Sequence, residues 1–254
     1  MKSARSEEWL AGRVRATLAY AAAAELAMSR DGTGVIENAW GAAHILLALG
    51  TPFLRRRRQR RGVRDGELQQ VFPGDELVPR PRWQYLHGIT VKAPPARVWP
   101  WVAQLGQGRG GFYSYQLLEN LVGCRIRNAD AVIPGLQTIS VGDDVHIHPE
   151  MPLRVAIVEP DHALVLHTRA ELTSEQTSAK GAGQDPPDLS WAFIIKEAEG
   201  QQSRLFSRYR VDYGRGWARA LGYGPWLMEP LSYPMDLEML AGIRWRVEQA
   251  AGYA

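Results

Sequence analysis

The sequence predicts an α+β protein in which a curved antiparallel sheet wraps around a long C-terminal helix. Two short helices follow the first strand, and an extra helical region precedes the sheet. Three observations carry this expectation. From Trp83 onward, six segments show strand-like apolar patterning. Between the first two stands Trp99 to Gly123, which reads as a helix, a glycine-broken loop and a second helix. After the sixth comes one long amphipathic stretch, Pro225 to Gln249. Strands in this order need the helix pair to close one end of the sheet. The last helix then covers the inner face and leaves an apolar hollow.

Each element follows from local chemistry. Residues 7 to 29 predict a helix through Trp9, Leu10, Val14, Leu18, Ala21 and Leu26, ended by Asp31-Gly32-Thr33-Gly34. Residues 38 to 54 are the most apolar stretch, at the lower limit of the roughly 17–25 residues a bilayer span needs. The run RRRRQRR follows directly. An apolar segment with an arginine cluster fits a membrane-anchored segment or an interfacial helix held by anionic lipid. It also fits a soluble helix with a solvated basic linker. Residues 1–61 are therefore expected as an N-terminal helical region that contacts the inner membrane surface through residues 38–61. Gly62, Gly66, Pro73, Gly74, Pro79 and Pro81 make 62–82 an expected linker, and 83–254 the main domain.

In that domain Tyr85, His87, Ile89 and Val91 alternate as a strand. Pro94-Pro95 opens a helix whose buried face is Val98, Trp101, Val102 and Leu105, with Pro100 in its first turn and Gly106 as its cap. Leu117, Leu118, Leu121 and Val122 make the second helix. Val145 and Ile147, Leu153 to Val158, Leu164 to Thr168, Leu189 to Lys196, and Arg204 to Val211 are the later strands. Residues 173 to 188 are a polar loop. Pro230 and Pro234 are expected to break the start of the last helix. Met235, Met239, Leu240, Ile243 and Val247 form its stripe.

Composition narrows the function. The chain has 254 residues, 45% of them hydrophobic, and a net charge of +3. Arg55, Arg56, Arg57, Arg58, Arg60, Arg61 and Arg64 exceed that whole excess, so the rest is slightly acidic and no nucleic-acid face is expected. One cysteine, Cys124, excludes an internal disulfide and points to a reducing, cytoplasmic compartment. Gly106, Gly108 and Gly111 fit G-x-G-x-x-G, but they follow a helix where a dinucleotide loop follows a strand. Arg109 at the loop tip reads as solvated. His146 and His148 share a strand face but lack a third ligand, so no metal site is expected. No cofactor motif and no catalytic set is present.

The run Pro73-Gly74-Asp75-Glu76-Leu77-Val78-Pro79, then Ala93-Pro94-Pro95-Ala96-Arg97-Val98-Trp99-Pro100-Trp101, Gly110-Gly111-Phe112-Tyr113-Ser114-Tyr115 and Leu118-Glu119-Asn120, resembles bacterial members of the SRPBCC superfamily. That superfamily includes START-like lipid-transfer domains, polyketide cyclases and the birch-pollen-allergen fold. The resemblance covers about residues 73 to 250. It implies the helix-grip fold and a cavity for a lipid, polyketide or other hydrophobic molecule, and it transfers no catalytic residue. Trp101, Leu105, Tyr113, Tyr115, Leu118, Glu119, Trp191, Arg210, Met235, Met239 and Ile243 are the cavity candidates. Aromatic and methionine side chains suit an adaptable apolar wall. Arg210, if inward, would pair a ligand carboxylate. The expected function is carriage of a hydrophobic small molecule or lipid. The alternatives are a cyclase or hydratase using Glu119, Tyr113 or Arg210, and a scaffold whose interior is filled by side chains.

Overall fold

The computed structural model describes residues 34–149, 151–168, 187–250 and 252. The helix expected at 7–29 and most of the loop expected at 173–188 lie outside them. Six strands form one sheet: β1 (Trp83–Val91), β2 (Asp144–His148), β3 (Met151–Glu159), β4 (Ala163–His167), β5 (Asp188–Ala198) and β6 (Gln202–Asp212). The order is β1-β6-β5-β4-β3-β2, and every pairing is antiparallel. Strands β2 to β6 are a meander, and β1 closes against the last of them. The helices are α1 (Val35–Gly50), α2 (Arg55–Arg58), α3 (Pro95–Ala103), α4 (Gln116–Leu121), α5 (Trp217–Tyr223) and α6 (Met228–Ala250). This is the helix-grip architecture that the sequence implies.

The period-two rule sorts the strands into two faces. Inward lie Trp83, Tyr85 and His87 of β1, opposite Val211, Tyr209 and Ser207 of β6, and then Leu189, Trp191, Phe193 and Ile195 of β5. Met239, Leu240, Ile243 and Val247 of α6 join them in one buried core. Outward lie Leu86, Val165, Ala192, Ile194 and Phe206, and these are not open to water. Phe72 seals them, with Val63, Leu68 and Leu77 packed alongside. Residues 62–82 thus lie against the sheet's outer face. Glu67 pairs with Arg204 at 2.7 Å, and Asp75 pairs with Arg208 at 2.9 Å and Arg210 at 3.1 Å. Three arginines on one strand face are compensated there by two carboxylates, as buried charge requires.

The arginine run is also part of this packing. The Leu86 and Gly88 amides of β1 donate to the carbonyls of Gln59 and Arg61 at 2.9 and 3.0 Å. Arg58 is buried, and its guanidinium grips both carboxylate oxygens of Glu229 at 2.6 and 2.9 Å. Solvation is therefore not the fate of the whole cluster. Asn38 of α1 accepts the amides of Leu117 and Leu118 at 3.0 and 3.2 Å, satisfying otherwise unpaired donors in the first turn of α4.

Prolines behave differently from the expectation. Pro230 falls in the first turn of α6, where its missing N–H costs nothing. Pro234 lies inside the helix at a buried position, and α6 continues through it. Packing between α6 and the sheet outweighs the one lost hydrogen bond. Pro100 likewise sits inside α3, beyond its first turn, and the helix is capped by Gln104, two residues before Gly106.

Gly62 adopts φ +72°, and a Cβ there would stand 2.0 Å from the Gly88 carbonyl oxygen. Gly62→Ala is expected to peel the 59–61 segment from β1 and lower stability by at least about 2 kcal/mol. A urea titration against wild type measures this.

Candidate functional site

The inner face of the cup is apolar except where β1, β6 and α6 meet. His87 takes an inward β1 position between Tyr85 and Ile89. Asp236 lies four residues before Leu240 and seven before Ile243, so the α6 stripe carries a carboxylate into the core. His87 Nδ1 and Asp236 Oδ2 are 2.5 Å apart. The Tyr85 hydroxyl donates to Asp236 Oδ1 at 3.1 Å and the Ser207 hydroxyl at 2.6 Å. Trp191 Nε1 in turn donates to Ser207 Oγ at 2.9 Å. His87 Nε2 faces the Arg58 carbonyl at 2.9 Å. A carbonyl can only accept, so Nε2 carries a proton. A second proton lies between Nδ1 and Oδ2. His87 and Asp236 are both almost fully buried. Burial and the adjacent Asp236 carboxylate push the Tyr85 hydroxyl well above its usual range. The arrangement can hold a proton between Asp236 and His87, while Trp191, Ser207 and Tyr85 are donors that fix the carboxylate, in a medium where each hydrogen bond is strong.

Beside this chain the helix does not cover the sheet completely. Trp191, Tyr209 and Tyr213 point inward but are only half-buried, as are Met228 and Met235 of α6. Aromatic rings continue the wall: Tyr209 lies 5.1 Å from Trp83 and 5.3 Å from Tyr85, and Trp191 stacks on Phe112 at 5.7 Å. The Tyr209 hydroxyl has no hydrogen-bond partner among the described residues, and burial raises its pKa. This aromatic, methionine-edged wall is continuous with the polar chain through Trp191.

The predicted cavity residues divide into groups. Trp191 and Met235 border the half-open wall. Trp101, Leu105, Met239 and Ile243 are fully packed in the core. Tyr113 is sealed: its hydroxyl accepts from Gln104 Nε2 at 2.8 Å and donates to the Trp101 carbonyl at 3.3 Å. Tyr115 packs against Gly41 of α1, and the Leu118 amide contacts Asn38, so both belong to the α1–α4 junction. Arg210 is on the opposite face of the sheet. It donates to the Val78 carbonyl at 2.9 Å and pairs with Asp75, because the β6 register that turns Tyr209 inward turns Arg210 outward. Arg109 is not solvated. Its guanidinium donates to the Ala103 and Leu136 carbonyls at 2.9 and 3.1 Å and ties the glycine loop down.

Glu119 is buried, its Oε2 has no partner among the described residues, and burial raises its pKa to about 7. His87 and Asp236 were not among the sequence candidates. Their signal was present: a polar residue standing in each of two otherwise apolar periodic faces.

No family model matches the chain, and no curated protein does. Solved structures align over about two thirds of it. A protein from Mesorhizobium loti is 14% identical over 66% of this chain and 98% of its own, with a TM-score of 0.36. A polyketide-cyclase-like protein from Corynebacterium glutamicum is 12% identical over 66% and 93%, with a TM-score of 0.34. An aromatase/cyclase from a Streptomyces species is 11% identical over 66% and 95%, with a TM-score of 0.35. Likeness at this level bears on neither ligand nor activity.

Asp236→Ala leaves His87, Tyr85 and Ser207 without their shared acceptor in the core. The expected loss is about 3–5 kcal/mol, read from thermal or denaturant unfolding. For Glu119 the folded pKa lies above the unfolded 4.5. Its contribution is fully present below pH 4.5 and is lost as pH rises to about 7. Glu119→Gln should remove that slope and stabilise the protein at pH 8 by up to roughly 3 kcal/mol. Unfolding midpoints at pH 5 and pH 8 check it.

Proposed function

We propose that the protein binds an apolar small molecule or lipid between β5, β6 and the first half of α6, and that it works at the inner face of a membrane. The observation that supports this most directly is the half-buried inward wall of Trp191, Tyr209, Tyr213, Met228 and Met235. Inward aromatic side chains of a filled core are sealed, as Phe193 is on the same strand. These instead keep surface that a ligand can cover, at about 25 cal/mol per Å² of apolar area removed from water. The free Tyr209 hydroxyl supplies a polar handle that orients the ligand.

A catalytic reading rests on a different observation, the His87–Asp236 pair behind Tyr85. A ligand seated against Tyr209 would lie one ring from a proton-holding chain suited to acid–base steps. In that reading Tyr85 and His87 replace Glu119, Tyr113 and Arg210 as the acting groups.

Native mass spectrometry of protein purified from its own host tests binding. A co-purifying apolar mass that falls in Trp191→Ala supports it, and a bare protein across several gentle extractions overturns it. Conversion of the bound mass over time, lost in Asp236→Asn while binding persists, would identify an enzyme.

A further inference from the structure

Helix α1 is built inside out. Its polar residues Glu37 and Asn38 are buried against the body of the protein, while Val35, Ile36, Leu46, Leu47 and Leu49 face outward. Leu46 is 69% exposed and Phe53, in the following turn, 64%. No charged side chain from Val35 to Leu54 reaches the surface, since Glu37 is the only one and it is buried. No helix among the described residues is long and apolar enough to cross a membrane. The apolar face therefore calls for a cover rather than a span.

Cationic groups adjoin this face. Arg56, Arg57, Arg60 and Arg61 are exposed and make no ion pair with a described residue. Beside Phe53 lies a surface pocket of about 480 Å³ whose walls include Arg55, Arg56, Arg82 and Trp83. Arg55 stacks on the exposed Trp226 ring at 4.2 Å, and its Nε is shielded from water with no acceptor among the described residues. Arg82 is only loosely held, by an exposed pair with Asp212 at 3.1 Å. Three guanidinium groups at the walls of one pocket, with no carboxylate among its lining residues, make a place for an oxyanion. Trp83 is shared: one side faces the pocket, and the ring packs on Tyr209 of the ligand wall.

We propose that the outer face of α1, with the Arg55–Arg56–Arg82 pocket, is a docking surface for an anionic phospholipid bilayer. The apolar stripe enters the interface, the pocket takes a lipid phosphate, and the exposed arginines face the charged surface. Apolar and cationic groups side by side match a bilayer of anionic lipid better than a protein partner, whose interface core would be depleted of charge. This rests on the membrane half of the proposed function and not on what the cup holds.

The test uses full-length protein with vesicles of phosphatidylglycerol and phosphatidylcholine, of phosphatidylcholine alone, and with free glycerophosphate. Sedimentation with the anionic vesicles, weakening as salt rises and absent with phosphatidylcholine alone, is expected. Arg56→Glu with Arg57→Glu should weaken binding by more than ten-fold, since each arginine near such a surface contributes about five-fold. Leu46→Asp with Leu49→Asp should abolish it, and circular dichroism controls for folding. Cys124 is buried, so Leu46→Cys accepts a single environment-sensitive dye. Its emission should shift to the blue only when anionic vesicles are added. Absence of vesicle binding overturns the proposal, as does binding unchanged in Leu46→Asp/Leu49→Asp. A dye already blue-shifted without vesicles overturns it too, and light scattering then assigns the cover to a second copy if dimeric, or to residues 1–33 if monomeric. Protection of the pocket by glycerophosphate without vesicle binding identifies a free phosphate ligand instead. The co-purifying mass reads the interior separately, so either reading can fail alone.

Discussion

One buried carboxylate sets the geometry of the inner face. Asp236 brings α6 to β1 and β6 through His87, Tyr85 and Ser207, and each contact constrains the helix's rotation and height. Apolar packing alone tolerates small slides of a helix over a sheet. A carboxylate that must meet three partners does not, because each missed bond leaves a buried polar group unsatisfied. The same chain ends on the Arg58 carbonyl, and the Arg58 side chain reaches Glu229 one helical stretch earlier on α6. Sheet, helix and basic segment are thus locked by one continuous polar path.

That path stands where full burial of the inner face gives way to partial burial. Below Asp236, Met239, Ile243 and Val247 pack fully against Phe193, Ile195 and Leu205. Above it the helix carries Met228 and Met235, and the sheet presents Trp191 and Tyr209. These are large side chains that meet incompletely. The polar chain stands at the boundary between the two regimes.

The periodicities in the sequence were strong enough to place all six strands and the closing helix, because each segment buries one face and repeats at two or about 3.6 residues. They could not decide register. Arg210 and Tyr209 are neighbours, and which one enters the cup depends on pairing with β1 and β5, a non-local fact. The stretch 62–82 is rich in glycine and proline, yet Phe72 and Val78 in it are almost wholly buried. Its turns follow the curve of the sheet, and its carboxylates answer arginines more than 130 residues away. His87 and Asp236 show the same limit: an isolated polar residue in an apolar stripe gains meaning only beside its partner.

The two borders of the sheet are guarded by different means. On one, the Gln59–Arg61 backbone occupies the amides of β1 that would otherwise template a foreign strand. On the other, β2 spans five residues and its pairing with β3 shifts register between His146 and His148. A short, irregular border gives an incoming chain little to extend. The basic segment that follows α1 therefore also keeps the folded protein from polymerising through its own hydrogen bonds.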